Sequence, residues 1–257
     1  MLIDTHCHLD AAEFAADRDQ VHAAAQAAGV AHIVVPGVMV AGFAGLKACV
    51  ARYPGCLAAY GIHPLYVRQA EPADLAVLRA WLLAERPVAV GEIGLDYYLA
   101  DSDPARQDFF FIEQLKLARE FNLPVLLHVR RAIDQVLNQL RRHPVPGGIA
   151  HAFNGSRQQA EEFIKLGFKL GFGGAMSFAG SRRIRELAAS LPLEAIVLET
   201  DAPDIPPAWL ARGRNTPAEL ARLAEVLAGL RGMDVASLVA QTADNARAVL
   251  PALLDPV

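Results

Sequence analysis

His6 and His8 stand two residues apart at the start of the chain. Side chains alternate along an extended strand, so both imidazoles fall on one face and could reach one cation. His63, His128 and His151 each follow a short apolar run, as do Glu92 and Asp201. Imidazole nitrogens and carboxylate oxygens are what a hydrolytic metal site requires. Glu92 lies between Gly91 and Gly94, where the backbone can approach closely. Its two oxygens could bridge two cations about 3.5–4 Å apart. Asp201 could bind one cation and take a proton from water beside it.

Each residue also has a plainer reading. An H-x-H pair can be an exposed strand end, a lone histidine is commonly a hydrogen-bonded core residue, and Glu92 can be a satisfied loop acid. The matched placement of so many ligand types favours the metal site. Asp4 stays open between orienting a histidine and being a buried strand acid. Asp96 stays open between a hydrogen-bonder and a helix-start cap, and Glu199 between a neighbour of Asp201 and a paired strand acid. His22, His32 and His143 fit no such set and read as structural or surface residues.

The elements that must position these groups alternate from end to end. Short apolar runs predict strands at 2–5, 32–36, 57–60, 88–91, 125–128, 148–151, 168–171 and 196–200. Helices are predicted at 17–28, 40–53, 72–85, 103–121, 133–143, 157–166, 181–190, 216–229 and 235–249. Loops 171–180 and 201–215 should lie at a mouth. Eight strands alternating with helices imply an α/β fold with a parallel sheet. A single (β/α)8 TIM barrel is preferred over a doubly wound sheet, because candidate ligands follow strands one, three, four, five, six and eight. A barrel builds its site from many strand ends, whereas an open sheet gathers ligands at a switch point.

With 257 residues the chain suits one such barrel, so 1–257 reads as a single domain. At 53% hydrophobic residues it can fill a core, and disorder is excluded. A net charge of −4 argues against a protein that coats nucleic acid through a basic surface. It does not exclude phosphodiester chemistry, where cations and a few arginines supply local positive charge. Cys7, Cys49 and Cys56 are too few for a disulfide framework and fit a reducing cytoplasm. Cys7 should point away from the two histidines. The chain shows neither a secretory leader nor an apolar run of roughly eighteen residues. A soluble protein without an obligate protein partner is expected.

Asp-Thr-His-Cys-His at 4–8, Gly-Ile-His-Pro at 61–64, Gly-Glu-Ile-Gly-Leu-Asp at 91–96, Glu-Thr-Asp-Ala-Pro at 199–203 and Arg214-Asn215-Thr216-Pro217 occur in order. Together they resemble the TatD family of metal-dependent deoxyribonucleases over nearly the whole chain. The resemblance implies a metallo-dependent hydrolase barrel with two divalent cations, whether zinc, magnesium or manganese. It implies that His6, His8, Glu92 and Asp201 hold the first and that Glu92, His128 and His151 hold the second. His63 would line the pocket and contact phosphate, so the catalytic group would be Asp201, Glu92 and His63. Arg130, Arg131, Asn154 and Asn215 become candidates for phosphate or sugar contacts on DNA or another phosphodiester, or else solvated loop residues. The chain departs from the family pattern at Val129, Ala152 and Asp204, where many members carry serine, cysteine and tyrosine.

Phosphodiester cleavage by a metal-activated water is the expected reaction. The alternative is an ester or amide hydrolase on the same site, such as an aminoacyl-RNA deacylase or a cyclic amidase. Many barrel amidohydrolases carry a carboxylated lysine after strand four, and Glu92 in that place favours the nuclease-like branch. A non-catalytic binding protein would be expected to lack ligands, and none is missing.

Overall fold

The computed structural model describes residues 1–100 and 102–254. Eight strands form one sheet in chain order: β1 (Leu2–Asp4), β2 (Val30–Pro36), β3 (Cys56–Tyr60), β4 (Ala89–Asp96), β5 (Val125–Arg130), β6 (Gly148–Ala150), β7 (Phe168–Phe172) and β8 (Ile196–Leu198). Every neighbouring pair from β1–β2 to β7–β8 is parallel. The Thr5 N–H donates to Leu198 O at 3.1 Å, so the last strand returns to the first and the sheet curls into a barrel. The fold is the expected (β/α)8 barrel. Its helices are α1 (Arg18–Ala27), α2 (Phe43–Arg52), α3 (Asp74–Glu85), α4 (Pro104–Glu120), α5 (Ile133–Arg142), α6 (Arg157–Lys165), α7 (Arg182–Ser190), α8 (Leu220–Arg231) and α9 (Val235–Val249).

Period-two alternation sorts the strand residues into two apolar layers. Ile3, Val34, Ala59, Leu126, Ile149 and Val197 pack together in one cluster with Ala243, Ala246 and Val249 of α9. Asn245 of α9 donates to Leu193 O and Ile196 O, both at 2.7 Å, at the start of β8. Helix α9 therefore closes the end of the barrel where the strands begin. Val90, Leu127, Leu170 and Leu198 belong to the larger cluster with Phe111, Leu137 and Leu227 of the surrounding helices. Burying each such side chain stabilises the fold by ~1.5–3 kcal/mol. The end where the strands finish is left open and carries the polar residues.

Local sequence sets the helix ends. Asp103 accepts from the Arg106 N–H ahead of Pro104, whose missing N–H is no loss in a first turn. Ser156 and Gln159 form a capping box for α6. The loops at 171–180 and 201–215 hold single 3-10 turns at Gly174–Ser177 and Ala208–Leu210.

Two strands outrun their expected ends by more than one residue. β4 continues past Glu92 to Asp96, and β5 continues past His128 to Arg130. The β4–β5 ladder shifts register between Val90 and Ile93. Such an irregularity re-aims a side chain without ending a strand. The Glu92 N–H leaves the ladder and bonds Gly37 O beyond β2 at 2.9 Å. Gly94 is held at φ +147, where a Cβ would lie 1.9 Å from His128 O, so this part of β4 admits only glycine.

Candidate metal centre

Glu92 is the hub. It is 2% exposed, and each of its carboxylate oxygens faces a different set of donors. Oε2 lies 3.1 Å from His6 Nε2 and 3.6 Å from His8 Nε2. Asp201 Oδ1 lies 3.7 and 3.8 Å from the same two nitrogens. Ligands about 2.1 Å from a shared tetrahedral ion stand about 3.4 Å apart. These four atoms have that spacing, and a mixed nitrogen and oxygen set suits a divalent ion. His6 and His8 arrive here because β1 ends at Asp4 and the chain leaves the barrel rim between β8 and β2. The Cys7 N–H bonds Val34 O and the His8 N–H bonds Ala202 O. Cys7 itself is fully buried, away from the cavity, and all three cysteines are unpaired.

Glu92 Oε1 faces the other way. It lies 2.9 Å from His128 Nδ1 and 3.5 Å from His63 Nε2, and those two nitrogens are 3.0 Å apart. Distance alone would class His63, Glu92 and His128 as one ligand set. The tautomer of His63 argues against it. Its Nδ1 accepts the Leu65 N–H at 3.1 Å, so the neutral ring carries its proton on Nε2. That nitrogen is then a donor aimed into the cavity. His128 is arranged in the opposite sense. Its Nε2 lies 3.0 Å from Asp96 Oδ2, which leaves Nδ1 as the atom offered to Glu92. A carboxylate behind a histidine fixes the tautomer and orientation of a metal ligand.

His151 does not stand with His128 in this arrangement. Its ring stacks on His6 with centroids 3.7 Å apart, and it groups with His6 and Glu92. Nδ1 lies 3.0 Å from Glu199 Oε1 and Nε2 lies 3.5 Å from Asp201 Oδ2. Glu199 fits inside the barrel because residue 171 is glycine. A Cβ there would come within 2.0 Å of Glu199 Oε2. Asp201 (φ +58), Ala152 (φ +45) and Arg131 (φ +55) all hold left-handed backbone just past β8, β6 and β5. Non-glycine residues there are strained, and such strain clusters at functional sites.

The electrostatics follow from burial against close charge. Burial pushes the Glu92 carboxyl up, but His6, His63 and His128 together hold it well below the usual range. Burial likewise opposes ionisation of Asp201, and His151 outweighs it. Burial lowers His6 and His63. It also works against protonation of His128, yet Asp96 and Glu92 raise that ring to about 9. Glu199 and Asp201 raise His151 well above its ordinary value despite burial.

The residues left open by the sequence find places. Asp4 does not touch a histidine ring. It accepts from the Thr200 N–H (3.0 Å), Thr200 Oγ1 (2.6 Å) and the His6 N–H (3.2 Å), tying the ends of β1 and β8 together. Burial pushes its carboxyl up to about 7. Asp96 holds His128. Arg130, Arg131 and Asn154 line a cavity of about 1040 Å³ that contains His8, His63, Glu92, His128, His151 and Asp201. Asn215 is placed elsewhere. It is 0% exposed, and its amide donates to Thr200 O and Asp204 O, both at 2.8 Å, pinning the loop after β8. Its neighbour Arg214 pairs with Asp17.

Three supporting residues were not singled out in the sequence. Gln107 and Gln114 of α4 are buried and each clamps one backbone unit. Gln107 bonds both the N–H and O of Asp96, and Gln114 both those of Ile62, next to His63. Their seven-residue spacing puts two polar groups on the apolar face of one helix, which was the available signal. Tyr98 is the third, at the mouth.

A family model described as TatD related DNase matches residues 3–251. An uncharacterized metal-dependent hydrolase of Escherichia coli K12, YjjV, is 42% identical over 233 residues, covering 89% of this chain and 90% of that protein. Its crystal structure superposes with a TM-score of 0.94 over 97% of this chain and 98% of that one, at 38% identity. A protein of Klebsiella pneumoniae named 3'-5' ssDNA/RNA exonuclease TatD is 35% identical over 257 residues, covering 96% of both chains. By the extent of the family match and these identities, this chain belongs to the TatD-related DNase family.

Proposed function

We propose that this chain is a divalent-metal-dependent deoxyribonuclease that hydrolyses phosphodiester bonds, with residues 1–257 working as one unit in the cytoplasm. The names of the relatives support the class of chemistry, and among the described residues no helix is long and apolar enough to cross a membrane. The observation that carries the reading is Glu92, whose two oxygens face separate donor sets. His6, His8, Glu92 and Asp201 would hold one ion. Glu92, His128 and His151 would hold the second, the His151 ring turning from its stack on His6 to join them, with Asp96 and Glu199 behind the two rings. The ions these residues would hold would supply a lowered pKa for water and positive charge opposite the phosphoryl oxygens.

The protein's own groups do the rest. Asp201, kept ionised at the cavity wall, accepts the proton of the attacking water. His63, with its proton on Nε2, donates to a phosphoryl oxygen as negative charge gathers there. Arg130 and Arg131 face the same cavity and add positive charge from the rim. Glycine at 171 and the clamps from α4 keep these groups from drifting.

The test is cleavage of single-stranded DNA by protein stripped with chelator and then resupplied with zinc, manganese or magnesium. Activity that returns with metal supports the reading. The ester or amide alternative draws on Asp204 and Asp10, carboxylates at the cavity wall that disfavour a polyanion. Phosphodiesters and carbonyl esters screened side by side separate the two, and activity confined to carbonyl substrates would overturn the nuclease reading.

A further inference from the structure

Tyr98 stands at the mouth, 45% exposed and in the cavity wall. The guanidinium of Arg130 lies 3.5 Å from its ring centroid and that of Arg131 4.6 Å. Both arginines are exposed, and among the described residues neither guanidinium has an ion-pair or hydrogen-bond partner. Elsewhere the arginines near this rim are committed. Arg183 donates to Asn154, and Arg214 to Asp17. An arginine outside any ion pair, with its guanidinium over an aromatic ring, keeps N–H groups available while losing little side-chain freedom on binding.

The stack is fixed to the metal centre. The Tyr98 N–H bonds Asp96 Oδ1 at 2.9 Å, while Asp96 Oδ2 holds His128. Arg130 ends β5, two residues beyond His128. Across the cavity the walls after β1 and β8 carry Asp10 and Asp204, which repel phosphate. A substrate with more than one phosphate is thus steered to the β4–β5 side.

We propose that Tyr98 is a positioning residue that holds Arg130 and Arg131 as a paired clamp for the phosphate next to the scissile one. The clamp makes the site favour a polynucleotide over an isolated diester. The inference rests on the phosphodiester reading above. It assigns Tyr98, through its ring and not its hydroxyl, a part in substrate selection.

The experiment compares oligothymidylate with bis(p-nitrophenyl) phosphate, a diester that has no flanking phosphate, in zinc, manganese and magnesium in turn. Y98A should raise KM for oligothymidylate at least tenfold with kcat little changed. Its loss in kcat/KM on the small diester should be at least tenfold smaller than its loss on the oligonucleotide. R130A and R131A should each raise KM for oligothymidylate and lessen the salt dependence of log(kcat/KM) on it by about 0.7, the slope of one single-strand phosphate contact. Y98F, which keeps the ring, should restore the wild-type KM. Equal losses on both substrates, or a Y98F as impaired as Y98A, would overturn the clamp alone. A wild-type protein inactive on both diesters would bring down the phosphodiester reading and the clamp with it.

Discussion

The two halves of the candidate metal centre share Glu92 but are built differently. On the β1–β8 side, His6 has no carboxylate behind it. Among the described residues its Nδ1, like that of His151, has no hydrogen-bond partner, and burial keeps the His6 ring neutral. On the β5–β6 side, each imidazole is backed by a buried acid, His128 by Asp96 and His151 by Glu199. Those acids hold protons on the rings, so His128 titrates only at about 9. One half therefore offers the neutral nitrogen of His6 beside a His8 ring that Glu92 and Asp201 raise despite burial, and the other must shed protons from both of its rings to take an ion. The first half is also part of the barrel's closure, through Asp4 and Thr200. The second hangs on β4, β5 and the clamps of α4.

Glu92 is where this contrast breaks, because both halves use it. E92A should lower kcat on DNA on the order of 10³-fold or more, the scale of removing a principal electrostatic stabiliser. Metal analysis of that variant should show both ions weakened together. A variant that keeps full activity, or loses only one ion, would mean that the two halves do not share the carboxylate.

The next largest effect separates the halves. D201N should cost the ion held with His6 and His8, and H128N the other, each leaving about one equivalent by metal analysis. H63N should leave the metal content at the wild-type level and lower kcat, since the Leu65 N–H already occupies Nδ1 and its Nε2 is the donor. Loss of an ion from H63N would put His63 among the ligands in place of His151.

How much of this was legible beforehand differs between the halves as well. His6, His8, Glu92 and Asp201 could be read because each follows an apolar run, and these runs are the buried strands of the barrel. The continuation of β4 to Asp96 could not, because glycines beside an acid look like a strand end, whereas the bulge that turns Glu92 inward depends on its neighbours β2 and β5. Sequence alone does not decide the role of Asp96, because its partner, His128, is 32 residues away. Asn215 carries the composition of a mouth residue, yet three backbone carbonyls enclose its amide. Helical spacing marks Gln107 and Gln114 as polar groups on an apolar face, but their backbone partners, and the arginines that meet Tyr98, lie on other elements that periodicity along one segment does not reveal.

The smallest effect, and the one that tests the contrast most directly, is in pH. In metal-free protein the His128 ring, raised from 6.5 to about 9, contributes stability that is complete below 6.5 and lost as the pH rises through 9. An ion at His128 Nδ1 replaces that proton and one on His151, so its apparent affinity should climb more than tenfold per pH unit up to about 9. Asp96 acts on both sides of this balance, since it raises the proton affinity of the ring and also orients it for the ion. D96N should weaken the ion by about 10–100-fold at high pH, where only orientation counts. Near neutral pH the deficit should shrink, because the proton that competes with the ion is held less tightly. Competition titrations with a chelating dye at neutral pH and at pH about 9 would show this narrowing. A deficit independent of pH would mean that Asp96 orients the ring without governing its proton.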